Sequence, residues 1–513
     1  MLAASAAFGD KEYVYFDDGR RLTFTEHLAV VGSVAAALRD RYDIGPGDRV
    51  AILGANSLEW LLTFWATVSL DAIAVAMNGW WQEDEIRYGL DLTKPKLLVA
   101  DSKRLARISG GRHGVDIPVV EMETDFDALW HHAPGAPLPD TPIDEDDPAA
   151  VLFTSGTTGR PKGAINTHRN LISFVQMSFF SGARDMLMKP PSGEPATPVN
   201  ICSSPMFHVS GLQAAIITGV ASGVKFVFTT GRFDPKKVLD LAVQEGATRL
   251  GGITTQLWRI LEHPDFDKYD LSKVTSSGGG GSVFSPELQR AVREKIPTAA
   301  NAFNVGYGST ETGGLCTMAT NEMLLEHPDC TGRALPTAQV AIFDDDGNPL
   351  PDGEVGHVCV RGPMVTPGYW DNPEATAETF FPGRWLKTGD YGRMEDGLLF
   401  LATRKRDMII RGGENIYPIE IENRLDEHPG IAEAAVVGVE HRTLGQEVKA
   451  IVVPKPGATL DPDEIRAFVG ETLAYYKVPQ YVEIRTEPLP RNATGKVLKN
   501  VLLGEAENTF VEE

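Results

Sequence analysis

Leu152-Phe153-Thr154-Ser155-Gly156-Thr157-Thr158-Gly159-Arg160-Pro161-Lys162-Gly163 passes from an apolar run through hydroxyl and glycine residues to one lysine. A strand entering such a loop can present backbone N–H groups and hydroxyls to a polyanion, and the lysine adds a point charge. The run is not a Walker A loop. That pattern closes on Gly-Lys-Ser/Thr, whereas Pro161 precedes Lys162 here and Gly163 follows it. Gly, Ser and Thr are ordinary loop residues, so composition alone would also suit a surface turn. The order of the run, closing on Arg160-Pro161-Lys162-Gly163, is far more specific than its composition.

Upstream of this stretch, short apolar runs alternate with helical spacing. Arg49 to Ala55 reads as a strand, and Asn56 and Ser57 offer caps for a helix from Leu58 to Val68. Ile73 to Met77 is strand-like, Gln82 to Leu92 helix-like and Lys96 to Ala100 strand-like. Such alternation predicts βαβ units and a parallel sheet. The proline- and acid-rich segment Pro134 to Pro148 reads as a connector. Downstream the alternation resumes and predicts a second sheet of the same kind. Its strand-like runs are Asn200 to Ser203, Lys225 to Thr229, Thr248 to Ile253 and Lys273 to Ser276. Helix-like runs between and after them are Gly211 to Ala221, Pro235 to Glu245, Gln256 to Leu261 and Pro286 to Lys295.

From Cys330 to Ala402, Gly, Pro and Asp punctuate short alternating runs, with turn signals at Asp346-Gly347 and Asp352-Gly353. That texture predicts an antiparallel β subdomain. Beyond Arg404-Lys405-Arg406-Asp407 the pattern restarts as a small α+β unit. Its helices are expected at Pro418 to Glu427 and Asp461 to Leu473, the second with Ile465, Phe468, Val469 and Leu473 on one side.

A chain of 513 residues is too long for one core, so two or more domains are expected. Lys and Arg number 48 against 70 Asp and Glu, a net charge of −22. A field of that sign repels nucleic acid and anionic membranes, and an anionic substrate would need a local positive site. Cys202, Cys316, Cys330 and Cys359 lack metal-ligand spacing and read as reduced thiols of a cytoplasmic protein. Met1 to Asp10 lacks the basic start of a signal peptide, and the apolar stretch Leu61 to Met77 is broken by Asp71, so no membrane span is expected.

Five further segments carry chemistry-bearing residues. Tyr307-Gly308-Ser309-Thr310-Glu311-Thr312 offers an aromatic face that can stack on adenine and a carboxylate that can hold Mg²⁺ beside a triphosphate. The residue types alone better suit a buried Tyr and a surface Glu. Pro205-Met206-Phe207-His208 ends a strand, and a lone His is more often packed or solvated than catalytic. Trp385-Leu386-Lys387-Thr388-Gly389-Asp390 ends in a carboxylate that can accept two hydroxyls, or in a plain turn. Glycines in Arg411-Gly412-Gly413-Glu414-Asn415-Ile416-Tyr417-Pro418 permit close backbone approach. Pro490-Arg491-Asn492-Ala493-Thr494-Gly495-Lys496 brings a lysine near the C-terminus, where lysines are normally solvated charges.

The opening run closely resembles the phosphate-binding signature of the adenylate-forming superfamily. That group holds acyl- and aryl-CoA synthetases, beetle luciferases and the adenylation domains of peptide synthetases. The resemblance extends in family order from Thr154 to Lys496. It implies that Thr154, Ser155, Gly156, Thr157, Thr158, Gly159 and Lys162 bind the phosphates of ATP. The match to the family's Tyr-Gly-x-Thr-Glu motif implies Tyr307 on the adenine, Thr310 on the phosphate region and Glu311 on the metal, with Gly308 also among the nucleotide-binding residues. Gly280, Gly281 and Ser282 would lie along the adenine, although the glycine run here is longer than the usual pattern. Asp390 and Arg404 would meet the ribose. Arg406 takes the hinge position, where Lys or Asp is usual. Gly412 and Gly413 would approach the pantetheine of coenzyme A, and Lys496 corresponds to the adenylation lysine. His208 would border the incoming carboxylate, with Met206, Phe207, Gly306 and Gly314 lining the acyl pocket. Phe207-His208 stands where peptide-synthetase domains commonly carry an Asp, which argues against amino acids as substrates.

The implied fold is α/β. A large N-terminal domain of two stacked α/β sheets plus a β-barrel-like subdomain would span residues 1–403, with a hinge at 404–407 and a small mobile α+β domain over 408–513. The implied activity is ATP-dependent conversion of a carboxylic acid to an acyl-adenylate, then to an acyl-CoA. The substrate expected is a fatty or other hydrophobic or aromatic acid. ATP, Mg²⁺ and coenzyme A are the expected cofactors. The partners are small molecules, with no nucleic acid and no membrane, and a homodimer is left open. One alternative is a ligase that hands its acyl group to a separate carrier protein, since the 17 residues after Lys496 hold no carrier domain. A luciferase-like oxidase is more distant. A catalytically silent nucleotide-binding scaffold is disfavoured by the joint presence of Lys162, Glu311, Asp390 and Lys496.

Overall fold

The computed structural model describes residues 1–154, 160–188, 197–281, 284–404, 407–411, 414–492 and 495–506. The chain begins with a hairpin of β1 (Glu12–Phe16) and β2 (Arg21–Thr23). Thr23 then starts the helix Phe24–Tyr42: its hydroxyl accepts the Glu26 N–H while the Glu26 carboxylate accepts the Thr23 N–H. β3 (Arg49–Leu53), β4 (Ile73–Met77), β5 (Leu97–Ala100) and β6 (Val119–Glu121) follow. They are joined in parallel pairs, with helices Leu58–Ser69 and Glu83–Thr93 as crossovers. Ser57 caps the first of these by accepting the Trp60 N–H at 3.1 Å. All five residues of β4 are buried, as expected for a strand covered on both faces. β7 (Pro148–Thr154) lies parallel to β4, and β8 (Lys162–Thr167) closes the sheet antiparallel, giving six strands in the order β6-β5-β3-β4-β7-β8.

The second sheet gathers β9 (Val199–Cys202), β10 (Lys225–Phe228), β11 (Arg249–Gly252), β12 (Ser276–Gly280), β13 (Phe303–Tyr307), β14 (Thr317–Ala319) and β15 (Arg333–Ala334). With the N-terminal hairpin on its far edge it has nine strands, ordered β15-β14-β13-β12-β11-β9-β10-β1-β2. The two sheets share one apolar core, which takes Val50 and Ile52 from the first and Val14, Phe226 and Phe228 from the second.

Two expectations are corrected here. The strand expected at Lys273 to Ser276 is instead Ser276–Gly280, and the residues before it form a turn. Glycine is a poor strand former, yet here a side chain would not fit. A Cβ on Gly279 would stand 1.8 Å from the Gly252 carbonyl oxygen, and one on Gly278 1.9 Å from that of Asn304. The helix expected from Gly211 begins at Val209 and carries a π-helical turn over Leu212–Ile217, a deformation often found near functional sites.

β16 (Gln339–Phe343), β17 (Gly356–Arg361), β18 (Phe380–Phe381), β19 (Trp385–Glu395) and β20 (Leu398–Arg404) form an antiparallel third sheet. The fourth sheet contains β21 (Ile409–Arg411), β22 (Glu414–Ile416), β23 (Ile431–His441), β24 (Gly445–Pro454) and β25 (Tyr481–Ile484). It packs with helices Pro418–Asp426 and Pro462–Gly470 around its own core of Ile409, Ile416, Leu425, Val448, Ile465 and Val469. The second helix stops short of Leu473, and Phe468 does not enter the core but lies 3.5 Å below the Arg424 guanidinium. Among the described residues no helix is long and apolar enough to cross a membrane. All four cysteines are free and buried.

Candidate active site

β7 and β8 pair so that Thr154 faces Lys162, the two ends of the phosphate-type run. Ser155, Gly156, Thr157, Thr158 and Gly159 lie outside the described residues. The Lys162 ammonium sits 5.2 Å from the centre of the Tyr369 ring. The hydroxyl of the same tyrosine donates to Glu311 Oε1 at 2.9 Å. Tyr369 thereby joins Lys162 to Glu311, which are 149 positions apart in the chain (311 − 162). Its segment is pinned on both sides. The Ile165 N–H donates to the Gly368 carbonyl at 3.0 Å, the Trp370 N–H to Gly163 at 2.7 Å, and the Thr366 N–H to the Glu311 carbonyl at 2.8 Å. Burial, then the neighbouring Glu311 charge, pushes the Tyr369 hydroxyl pKa up, so it stays a donor. The sequence reading missed Tyr369; its only local signal was the Gly368-Tyr369-Trp370 turn, one of many in that region.

Tyr307 at the end of β13 donates from its hydroxyl to Asp390 Oδ2 at 2.7 Å. Burial and then the Asp390 charge push the tyrosine pKa up. Asp390 pairs across the β19–β20 ladder with Arg404, whose side chain lies outside the described residues. Gly308 has no room for a side chain, since a Cβ would meet the Gly314 carbonyl oxygen at 2.6 Å. Thr310 opens a short turn, Thr310–Thr312, in which the Ser309 N–H donates to Thr312 Oγ1 at 2.7 Å. Gly280 ends β12 beside Gly306, and Gly281 follows it near Ile253; Ser282 lies outside the described residues.

The Met206 to His208 segment is held from the other sheet by Asn56. Its Nδ2 donates to the carbonyls of Ser204 at 3.0 Å and Thr229 at 3.2 Å, and its Oδ1 accepts the Met206 N–H at 2.8 Å. Of the two expected caps, Ser57 takes that role and Asn56 serves as this anchor. Met206 is only 1% exposed and packs in the core, while Phe207 meets Trp80 edge-on at 4.9 Å. His208 starts the following helix, its Nδ1 accepting the Ser210 N–H at 3.3 Å. The same Nδ1 lies 2.8 Å from Ser210 Oγ, and with Nδ1 as the acceptor of both groups the neutral ring carries its proton on Nε2. Burial pulls the His208 pKa down to about 4, so the ring is neutral at neutral pH. Gly314, at φ +94°, faces Val209 and Phe174, and Gly306 faces Leu315.

Lys496 lies in a tight turn. Its N–H donates to Asn492 Oδ1 at 2.9 Å, and the Asn492 N–H donates back to its carbonyl at 2.9 Å. Arg491 braces the turn, donating to the Gly495 carbonyl at 2.9 Å and pairing with Glu433 at 2.7 Å. Gly495, at φ +75°, is seated against the large domain: a Cβ there would lie 2.1 Å from Ile253 Cδ1 and 2.9 Å from Thr255 Oγ1. Ile253 Cγ2 is also the nearest atom, at 3.8 Å, to a Cβ built on Gly281. One residue at the end of β11 thus separates the lysine turn from the glycine strand. Arg406, Gly412 and Gly413 lie outside the described residues.

Among the described residues no group of three or more His, Cys, Asp or Glu could cage a metal. Glu311, linked through Tyr369 to Lys162, is a single carboxylate, the kind of donor suited to a hard cation that shares its shell with phosphate oxygens.

The sequence family described as AMP-binding enzyme matches residues 2–370, and its companion, AMP-binding enzyme C-terminal domain, matches 420–496. A feruloyl-CoA synthase of Amycolatopsis is 33% identical over 501 residues, covering 96% of this chain and 94% of that protein. A Rhodococcus jostii enzyme named 3-[(3aS,4S,7aS)-7a-methyl-1,5-dioxo-octahydro-1H-inden-4-yl]propanoyl:CoA ligase is 33% identical over 526 residues, covering 98% of this chain and 97% of that one. Among solved structures, ATP-bound MatB from Rhodopseudomonas palustris superposes with a TM-score of 0.86 at 30% identity, over 98% of both chains.

Proposed function

The chain belongs to the AMP-binding enzyme family, within the adenylate-forming superfamily, and on that premise we propose how its residues divide the work. The enzyme is an acid–thiol ligase that activates a carboxylic acid with ATP and transfers the acyl group to coenzyme A. A carboxylate is a poor electrophile at neutral pH. Its attack on the α-phosphate of ATP forms a mixed anhydride and expels pyrophosphate; thiol attack on the acyl carbon then expels AMP.

In our reading Thr154, Lys162 and the loop between them hold the phosphates. Tyr307, Gly280, Gly281 and Ser282 hold the adenine, and Asp390 with Arg404 the ribose. Gly308 and Thr310 shape the turn beneath the nucleotide. Mg²⁺, when bound, would neutralise phosphate charge, with Glu311 as its protein ligand. Lys496 neutralises charge between the carboxylate and the α-phosphate. His208 offers its Nε2–H to the incoming carboxylate. The large domain ends at residue 403 and Arg406 is the pivot for a mobile unit from 408 onward, whose Gly412 and Gly413 approach coenzyme A in the second step. Its separate core supports that division.

The acid is hydrophobic or aromatic. Leu315 lies against Gly306, and Val209 and Phe174 against Gly314, and the two similar ligases are named for aromatic and alicyclic acids. A cytoplasmic location is supported by the four free thiols. A homodimer remains part of the reading, supported by the exposed Phe179, Phe180 and Leu187 on the helix His168–Met188 and decided by sedimentation.

The observation that carries the mechanism is the seating of the Gly495-Lys496 turn on Ile253, beside Gly281. The test is Lys496→Ala, assayed by pyrophosphate release over a panel of acids with and without coenzyme A. Adenylation should fall on the order of 10²–10³-fold, while supplied acyl-adenylate and coenzyme A still give thioester. Equal loss in both half-reactions would remove Lys496 from the role.

A further inference from the structure

Lys162 belongs to the first sheet, and Glu311 to a turn of the second. Neither contacts the other through its own sheet. The connection runs through the strap Thr366 to Trp370, which leads into the third sheet. Its backbone adds to β8 through the bonds from Ile165 to Gly368 and from Trp370 to Gly163, and the Thr366 hydroxyl donates to the Ile165 carbonyl at 2.6 Å. Its other side takes the Glu311 carbonyl on the Thr366 N–H. The strap is therefore fixed by main-chain bonds before any side chain is considered.

On that fixed backbone, Tyr369 uses its two ends for different partners. The ring face lies 5.2 Å from the Lys162 ammonium, within the range of a cation–π contact. The hydroxyl meets Glu311 Oε1 at 2.9 Å and orients the carboxylate. Resting on the reading of Lys162 and Glu311 as the two ends of the phosphate site, we propose that Tyr369 is the positioning residue that fixes their separation and direction. Among the described residues Tyr369 holds one Glu311 oxygen, and the same bond sets the direction of the other. A carboxylate without that bond would sample several rotamers and meet a metal–phosphate complex less often.

Two substitutions separate the ring from the hydroxyl. Tyr369→Phe keeps the ring under Lys162 and deletes only the bond to Glu311. Tyr369→Leu deletes both. For Tyr369→Phe the Mg²⁺ concentration giving half-maximal pyrophosphate release should rise about tenfold, the scale of one hydrogen bond to a charged group. ATP binding measured by calorimetry, with no acid present, should weaken by a similar factor when Mg²⁺ is included. Thioester formation from supplied acyl-adenylate and the melting temperature should not move. Tyr369→Leu should also weaken ATP binding when Mg²⁺ is left out.

Glu311→Gln is the companion variant. If it shifts the Mg²⁺ dependence and Tyr369→Phe does not, the positioning role is overturned and the phosphate site stands. If Glu311→Gln itself leaves Mg²⁺ dependence and ATP binding unchanged, the phosphate-site reading falls and the proposal with it. Equal loss of both half-reactions in Tyr369→Phe would show a merely structural tyrosine and overturn the proposal.

Discussion

The Tyr307 hydroxyl donates to Asp390 Oδ2 at 2.7 Å, which ties the second sheet to the third at the proposed nucleotide site. Tyr307→Phe keeps the ring and removes this bond from the Asp390 carboxylate. A hydrogen bond to a charged group contributes about 1.5–3 kcal/mol. The KM for ATP should therefore rise at least tenfold while the KM for the acid stays near wild type. Steady-state kinetics with each substrate varied decides it; an unchanged KM for ATP would detach this pair from nucleotide binding.

Gly495→Ala should impair adenylation selectively. The residue combines φ +75° with a Cβ position 2.1 Å from Ile253 Cδ1. The left-handed backbone costs a non-glycine residue about 1–2 kcal/mol, and the contact forces the turn or the isoleucine to move. Pyrophosphate release should fall by about tenfold or more, with thioester formation from supplied adenylate intact. Ile253→Val in the Gly495→Ala background should restore part of the loss. No recovery, together with a slowed second step, would count against the docked turn as the adenylating arrangement.

Asp426 gives the docked form a pH dependence. Burial comes first, then Glu422 on the same helix and Glu287 from the large domain, and together they push its carboxyl up to about 7; Glu427 adds to the rise and Arg491 opposes it. The folded value lies above the unfolded one, so between about pH 4 and pH 7 the folded chain holds more protons, and stability falls as pH rises. Below that window both states are protonated and the effect vanishes. Asp426→Asn should melt close to wild type at pH 4 and gain a growing advantage up to pH 8. A constant difference in thermal melts across that range would show that Asp426 does not titrate between the two states.

Asn56→Ala should destabilise the large domain. The side chain satisfies two carbonyls and one N–H of the Ser204 to Met206 turn and Thr229. Leaving such partly buried groups unpaired costs about 2–3 kcal/mol in all. The expected result is a lower denaturant midpoint and a raised KM for the acid, because the segment carrying His208 loses its anchor. Asn56→Asp, which keeps only the acceptor, should retain the Met206 bond. Wild-type stability in Asn56→Ala would mean that solvent replaces all three bonds.

The sequence disclosed most where chemistry and local pattern coincide. Short apolar runs marked β3, β4 and β10, Ser57 marked a helix start, and the motif residues from Thr154 to Lys496 pointed to one site. What it hid depends on distant partners. Tyr369 reads as one aromatic in a turn until Lys162 and Glu311 are seen on either side of it. Ile253 reads as the end of a strand until Gly495 is found against it. β12 was misplaced because its glycines oppose strand formation locally and are selected by neighbouring backbones that no local pattern reveals.

The pairing of β1 with β10, Val14 opposite Phe226, also constrains how the protein is made. The six strands of the first sheet all lie at or before Thr167, so that set is complete once that residue has left the ribosome. β1 emerges long before, yet its partner strand follows roughly 210 residues later, which is roughly 10–40 s of translation at ordinary rates. During that interval the hairpin with β2 protects one edge only, and the other edge presents unpaired N–H and carbonyl groups flanked by buried-type side chains. A chain stalled or cleaved before Lys225 would keep that edge open, and Tyr13 to Phe16 would be the segment through which nascent copies aggregate.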